Sequence, residues 1–301
     1  MFKKNYLNSD KNFYDFLKDS NRDKTAEKVS DFYQEAPFPS YAKDETIDSI
    51  IDKGKKNNFI RSFQKFIGND NKKILEVGSG TSQVSVFLGA TTNNQIYAMD
   101  LTRRSLTTGY NFAKKNNLTN VKFILADIFD DVIKDETFDY IFCSGVLHHT
   151  KNTEEAFKIL SKYLKKDGYF VLGLYNSFGR FRTIIRQFIY KYISTDLAKF
   201  LDPYLRSIND RDSEKYKAWL RDQYIHPVER CHTYDEVIQW FKENDIDILN
   251  FIPSKFINDE DDYFAKAEIG NYFERIFEQV FMNFTKLGSE GGLYIATGKK
   301  N

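Results

Sequence analysis

The chain has 301 residues, 44 of them basic and 43 acidic, for a formal net charge of +1. Such balance excludes a general electrostatic pull toward nucleic acid or anionic membrane, though not a local basic patch. Hydrophobic residues at 41% supply one large core, or a core with an elaboration, while two cysteines are too few for a disulfide framework or a Cys-rich metal site.

No stretch approaches the roughly 18 apolar residues of a membrane span. The opening MFKKNYLNSDKNFYDFL has no apolar segment behind its lysines, so a cytoplasmic chain without a secretory signal is expected. Residues 1–71 read as an N-terminal helical extension. Pro37 and Pro39 flank Phe38 and impose a rigid, irregular segment. With Phe32, Tyr33 and Tyr41 nearby, this strip is expected to form a lid, or else to dock on the main core. DETIDSIIDKGKKNNFIRSFQKFI then reads as helix returning the chain to a sheet.

Ile74–Val77 is a short strand, apolar except for Glu76, and Gly78-Ser79-Gly80 turns it into a helix carrying Val84, Val86, Phe87 and Leu88. Helix N-terminal amides and a glycine backbone that permits close approach can receive a polar ligand. Gln95–Met99 is the next strand and ends at Asp100, one strand-helix-strand unit later. A carboxylate there can accept from two ribose hydroxyls, or be merely solvated. A third strand begins at Val121 and places Asp127 at its carboxyl edge, beside Ile128 and Phe129, where an acid can accept from an exocyclic amine and its neighbours can pack on a flat base. Tyr140–Cys143 is a fourth strand, followed by SGVLHHT with His148 and His149. TEEAFKILSKYLKKDG has helical periodicity at Ala156, Phe157, Leu160, Tyr163 and Leu164 and is expected to stop at Gly168. YFVLGLYN is the fifth strand. Alternating strands and helices with short loops predict an α/β fold with an open parallel sheet, its ligand crevice at the carboxyl ends of the strands.

From Lys72 to Asn176 the chain resembles the class I S-adenosylmethionine-dependent methyltransferases, especially their small-molecule, ubiquinone-biosynthesis-like branch. The resemblance implies a Rossmann-like sheet with helices on both faces and S-adenosyl-L-methionine as cofactor. Glu76, Gly78, Ser79 and Gly80 match the acid and glycine loop at the methionyl end. Asp100, with Leu101, matches the ribose-binding acid. Asp127 with Ile128 matches the adenine-contacting pair, and Ser144 opens the loop after strand four. The family often has a third glycine where this chain has Ser82. A nicotinamide fingerprint would also need a third glycine, and an acid before the first glycine would repel a pyrophosphate.

The resemblance divides the chain into the extension 1–71, a cofactor core 72–177, a helical insertion after strand five at 178–232, and a completion of the fold at 233–301. Within the insertion, IIRQFIYKYI reads as an amphipathic helix. Arg182, Arg186 and Lys191 allow it to lie on a membrane, but burial against neighbouring helices is expected. DLAKFLDPYLRSI is broken at Pro203. The insertion builds an acceptor pocket or a subunit contact, and a homodimer is compatible with it. Thr233 and Glu236 cap a helix Tyr234–Glu243. IDILNFIPS and GGLYIATGKK form a closing antiparallel pair, with a solvated turn at Asp259–Asp262. His226, Glu229, Cys231 and His232 lack the usual metal-ligand spacings, so no metal is expected.

His149 is the candidate base, with His148 behind it and His226 an outsider. Tyr33, Tyr41, Tyr175, Asn176, Arg180 and His226 are candidate acceptor contacts, Arg180 for an acidic group. The expected function is methyl transfer to a small-molecule acceptor by in-line displacement. Its rivals are an RNA or protein methyltransferase, which would need a docking surface the sequence does not announce, and a non-catalytic cofactor-binding or assembly protein.

Overall fold

The structure, a computed structural model, describes residues 1–17, 22–42, 44–211, 213–254, 263–284 and 291–301. The turn expected at Asp259–Asp262 lies outside the described residues.

A nine-stranded sheet organises the chain. In sequence its strands are β1 (Leu7–Asp10), β2 (Phe13–Asp15), β3 (Lys73–Val77), β4 (Gln95–Asp100), β5 (Val121–Leu125), β6 (Phe138–Ser144), β7 (Leu164–Tyr175), β8 (Ile246–Ile252) and β9 (Leu293–Lys300). In space they run β1-β2-β5-β4-β3-β6-β7-β9-β8. The strands from β5 to β7 are parallel, and β9 is antiparallel to both β7 and β8. This is the Rossmann-like class I methyltransferase arrangement, with a helical extension before it and a helical insertion after its fifth strand, β7.

Successive residues of a strand face opposite sides, so the apolar runs feed two cores. Leu75, Val77, Tyr97, Met99 and Ile141 pack on one face against Phe157, Leu160, Val237 and Phe241. Ile74, Ile96, Ala98 and Phe123 pack on the other against Phe63, Val86 and Leu106. The alternation that sends Ile74 to this second face sends Glu76 there too, toward α4 (Gln83–Thr91).

The extension contains α1 (Lys24–Glu35), α2 (Ile47–Lys56) and α3 (Asn58–Ile67). The single helical run expected at 44–67 is broken at Asn57, whose side chain accepts from Ile60 N and caps α3. The helix α5 (Arg103–Lys115) is the crossover from β4 to β5, and α6 (Thr153–Tyr163) that from β6 to β7. Gly168 does not end α6, because the chain enters β7 at Leu164, paired with Phe138. Pro203 separates α8 (Thr195–Leu201) from α9 (Pro203–Ser207) at the first position of the latter, where its missing N–H costs nothing. After α10 (Glu214–Leu220), the helix α11 (Tyr234–Glu243) carries the capping box expected of Thr233 and Glu236.

The helix α7 (Phe181–Tyr192) corrects one expectation. Thr183 is its buried residue, whereas Phe181, Ile184, Ile185, Phe188 and Tyr192 face solvent. Its neighbour α12 (Tyr272–Phe281) likewise exposes Phe273 and Phe277. Arg182 of α7 donates from Nη1 to the carbonyl of Asn283, just past the end of α12, at 2.7 Å. No described helix is long and apolar enough to cross a membrane.

Candidate active site

At the carboxyl ends of the parallel strands lies a cavity of about 670 Å³, a size suited to a small ligand. Glu76, Gly78, Ser79, Gly80, Asp100, Leu101, Asp127, Ile128 and Ser144 line one side. Gly78 and Gly80 have positive φ, 65° and 53°. A Cβ at Gly80 would overlap the Phe38 carbonyl, and one at Gly78 the Val146 side chain. Ser82 also sits in the left-handed region, at φ 63°. Its hydroxyl meets that of Ser79 at 3.0 Å, a local bond at the position where glycine would be unstrained.

The three acids are placed by backbone donors. Asp100 accepts from Gly80 N at 2.7 Å and Thr102 N at 2.6 Å, which locks the glycine turn to the tip of β4. Burial holds its pKa above the usual carboxylate value despite these bonds. Asp127 accepts from Phe129 N at 3.0 Å, and burial raises its pKa as well. Glu76 accepts from the backbone and hydroxyl of Ser85, yet burial, with Asp100 adding to it, pushes its pKa up to about 7. Three carboxylates with raised pKa around one cavity describe a place suited to donors and positive charge.

The irregular strip closes over the glycine turn. Thr81 N donates to the Phe38 carbonyl at 3.3 Å, Thr81 Oγ1 to that of Pro39, and Gln83 Nε2 to that of Ser40 at 3.2 Å. Arg104 holds the end of α1, donating from Nη1 to the Gln34 and Glu35 carbonyls at 2.7 and 3.1 Å. A cation at a helix C-terminus is the favourable arrangement. Tyr41 is part of this clamp and does not line the cavity. Its hydroxyl donates to the Thr81 carbonyl, and its ring stacks on Phe112.

The insertion forms the opposite wall with Tyr204, Trp219, Asp222 and Gln223. Tyr33 and Tyr175, both in the lining, donate their hydroxyls to Asp222 at 3.3 and 3.4 Å. His149 also lines the cavity. Its Nδ1 lies 2.6 Å from the Val228 carbonyl, which fixes the proton there and leaves the Nε2 lone pair without a partner. Burial lowers its pKa to about 4.

Four other candidates sit behind the wall. His226 stacks on His149 at 3.6 Å between ring centres and shares the same carbonyl. His148 is fully buried against Tyr175 and His149. Asn176 donates to Gln279 and accepts from Phe178 N and Gly179 N. Arg180 does not meet an acidic acceptor. It is fully buried, bound through Nε and Nη2 to Glu229, through Nη1 to Gln223 and the Gly291 carbonyl, and its guanidinium lies 3.4 Å from the centre of the Tyr175 ring. Glu229 is thus engaged by Arg180, and His232 Nε2 lies 2.9 Å from Thr153 Oγ1.

Sequence reasoning missed Asp222, Trp219 and Tyr204. Asp222 falls in a helical run, where an acid reads as solvated. Only the π-helical turn Arg221–Ile225 brings it inward, and such turns recur at functional sites.

A family model described as a methyltransferase domain matches residues 68–200. That span thus resembles a methyltransferase domain, and it lies on the class I fold described above. The chain is 25% identical over 100 residues to YcgJ, an uncharacterized methyltransferase of Bacillus subtilis strain 168, covering 33% of the chain and 39% of that protein. It is 33% identical over 101 residues to the (S)-coclaurine N-methyltransferase of Papaver somniferum, covering 33% of the chain and 28% of that protein. The match thus spans well under half the length of either relative. In fold it resembles the geranyl diphosphate C-methyltransferase of Streptomyces coelicolor A3(2), with a TM-score of 0.53 at 9% identity, covering 93% of this chain and 99% of that one.

Proposed function

We propose that the chain transfers a methyl group from S-adenosyl-L-methionine to a nucleophilic atom of a small-molecule acceptor. One observation supports this above others: the glycine turn with its three acids and the aromatic wall of the insertion share a single cavity. A ligand held at the first end presents its reactive group to the second.

The residues fit that cofactor. Gly78 and Gly80 supply the left-handed backbone of the turn that lines the cavity, Asp100 and Asp127 offer carboxylate oxygens to hydroxyl and amine donors, and the lining favours a cation. Bound there, the cofactor supplies a methyl group activated by a positively charged sulfur. The protein's part is to hold the acceptor in line and exclude water. His149, kept neutral at the cavity wall, is the proposed proton acceptor. In this reading residues 1–71 form the lid, 72–177 hold the cofactor, 178–232 enclose the acceptor and 233–301 complete the sheet. The cytoplasm as compartment, and a homodimer as assembly, belong to the same proposal.

Calorimetry with S-adenosylmethionine, S-adenosylhomocysteine and NAD tests the reading. The expected result is saturable binding of the first two, weakened about tenfold or more in Asp100→Ala, since hydrogen bonds to a charged group contribute about 1.5–3 kcal/mol. Folded protein that binds neither, or binds NAD alone, would overturn it.

A further inference from the structure

We propose that the insertion end of the cavity binds an amine in its cationic form, with Asp222 as counter-charge. This rests on the methyl-transfer reading in taking the amine to be the acceptor molecule.

Asp222 is half-buried and receives only neutral donors: Tyr33 OH at 3.3 Å, Tyr175 OH at 3.4 Å and Gln223 Nε2 at 2.8 Å. Among the described residues no Lys, Arg or His forms an ion pair with it. The nearest candidates are occupied. Arg180 lies against Tyr175 and is matched by Glu229, while Arg221, its chain neighbour, turns to Glu35 and the Phe32 carbonyl. Lys151, the one Lys or Arg among the described residues of the lining, is 3.6 Å from Asp23 and lies over the Phe129 ring. A carboxylate held away from bulk water without a cation favours a ligand that brings one.

The surrounding surface suits such a ligand. Tyr204 and Trp219, with ring centres 4.1 Å apart, line the same wall as Tyr33. Aromatic faces next to a carboxylate attract ammonium groups through their quadrupoles. An anionic acceptor would meet Asp222 without a free cation to offset it.

The test is calorimetry on the full chain saturated with S-adenosylhomocysteine, so that the cofactor's own ammonium group is already placed. Phenethylamine, cyclohexylmethylamine and tetramethylammonium are the probes, with 3-phenylpropanol and 3-phenylpropionate as neutral and anionic controls. The expected result is saturable binding of at least one cation, about tenfold tighter than either control, and about a tenfold loss in Asp222→Asn with S-adenosylhomocysteine affinity retained. The comparison of cation with control needs no variant, so a misfolded Asp222→Asn would not decide the matter. Equal binding of the alcohol or the acid, or no binding by any cation, overturns the proposal. So does displacement of S-adenosylhomocysteine by the amines, which would assign Asp222 to the cofactor. The preceding titration with S-adenosylhomocysteine alone reads the methyl-transfer framework separately. If it binds and no amine does, only the acceptor assignment falls.

Discussion

Glu76 is a buried acid whose pKa rises from the usual 4.5 to about 7. Its native form therefore holds a proton more readily than the unfolded chain does. The resulting penalty is absent below pH 4.5, develops as pH rises toward 7, and is complete above it. Glu76→Gln removes the charge and keeps an oxygen for the Ser85 donors, so its melting temperature should gain on the parent from pH 4.5 to 7 and then hold a constant lead. A lead that shrinks as pH rises would contradict this account. The histidines act in the opposite sense. Burial lowers His149 and His226 to about 4, and lowers His148 and His232 as well. The unfolded chain gains their protons first, so their support is complete above about pH 6.5 and is lost as pH falls toward 4. Thermal melts of His149→Gln should show a shallower acid limb than the parent. At the glycine turn, Gly80→Ala meets both a left-handed φ and the Phe38 carbonyl, with strain of about 1–3 kcal/mol. Calorimetry should show S-adenosylhomocysteine affinity reduced about tenfold or more.

Among elements, the irregular strip and the end of α1 are held to the rest of the chain at the glycine turn and, through Arg104 and Arg221, at the end of α1. Arg104→Ala weakens the second hold and leaves the first. Stopped-flow measurement should find S-adenosylhomocysteine leaving several-fold faster, with little change in melting temperature, because Arg104 is exposed. Equal release rates would mean that α1 does not restrain the ligand. The elements of the cofactor half were legible because each strand is an apolar run ending in an acid or glycine at the point of chain reversal. The hairpin of β1 and β2 was not. Its strands have four and three residues, too few for alternation to register, and its pairing with β5 depends on residues over a hundred positions away. Asp222 was illegible for a related reason. Its meaning comes from Tyr33 and Tyr175, which only the tertiary fold brings to it. Arg180 misled in the other direction, since a basic residue beyond a strand end gives no sign that Glu229 will claim it.

At the scale of the molecule, the apolar faces of α7 and α12 are the largest departure from expectation. Exposed aromatic residues in such numbers mark contact surfaces on many proteins, yet they contribute little to the fold of a single chain. Phe181, Phe188 and Tyr192 are 60, 57 and 64% exposed. Replacing all three by Ser should shift stability by no more than about 0.5 kcal/mol per site, measured by thermal scanning at low protein concentration. A fall of several degrees would show that this face is covered in solution.

The strand that carries Asp127 to the cavity is paired on both sides, by β4 and by the short β2. An intruding chain that seeks open backbone hydrogen bonds meets β1 instead, four residues long with a break in register between Asn8 and Asp10. At the far side β8 is partly covered, since Ala267 N donates to the Leu249 carbonyl at 2.9 Å. Short and irregular margins make poor templates for cross-chain strand addition. Protection from amyloid-like assembly therefore rests here on a hairpin outside the cavity, and the functional strands need no charged gatekeepers of their own.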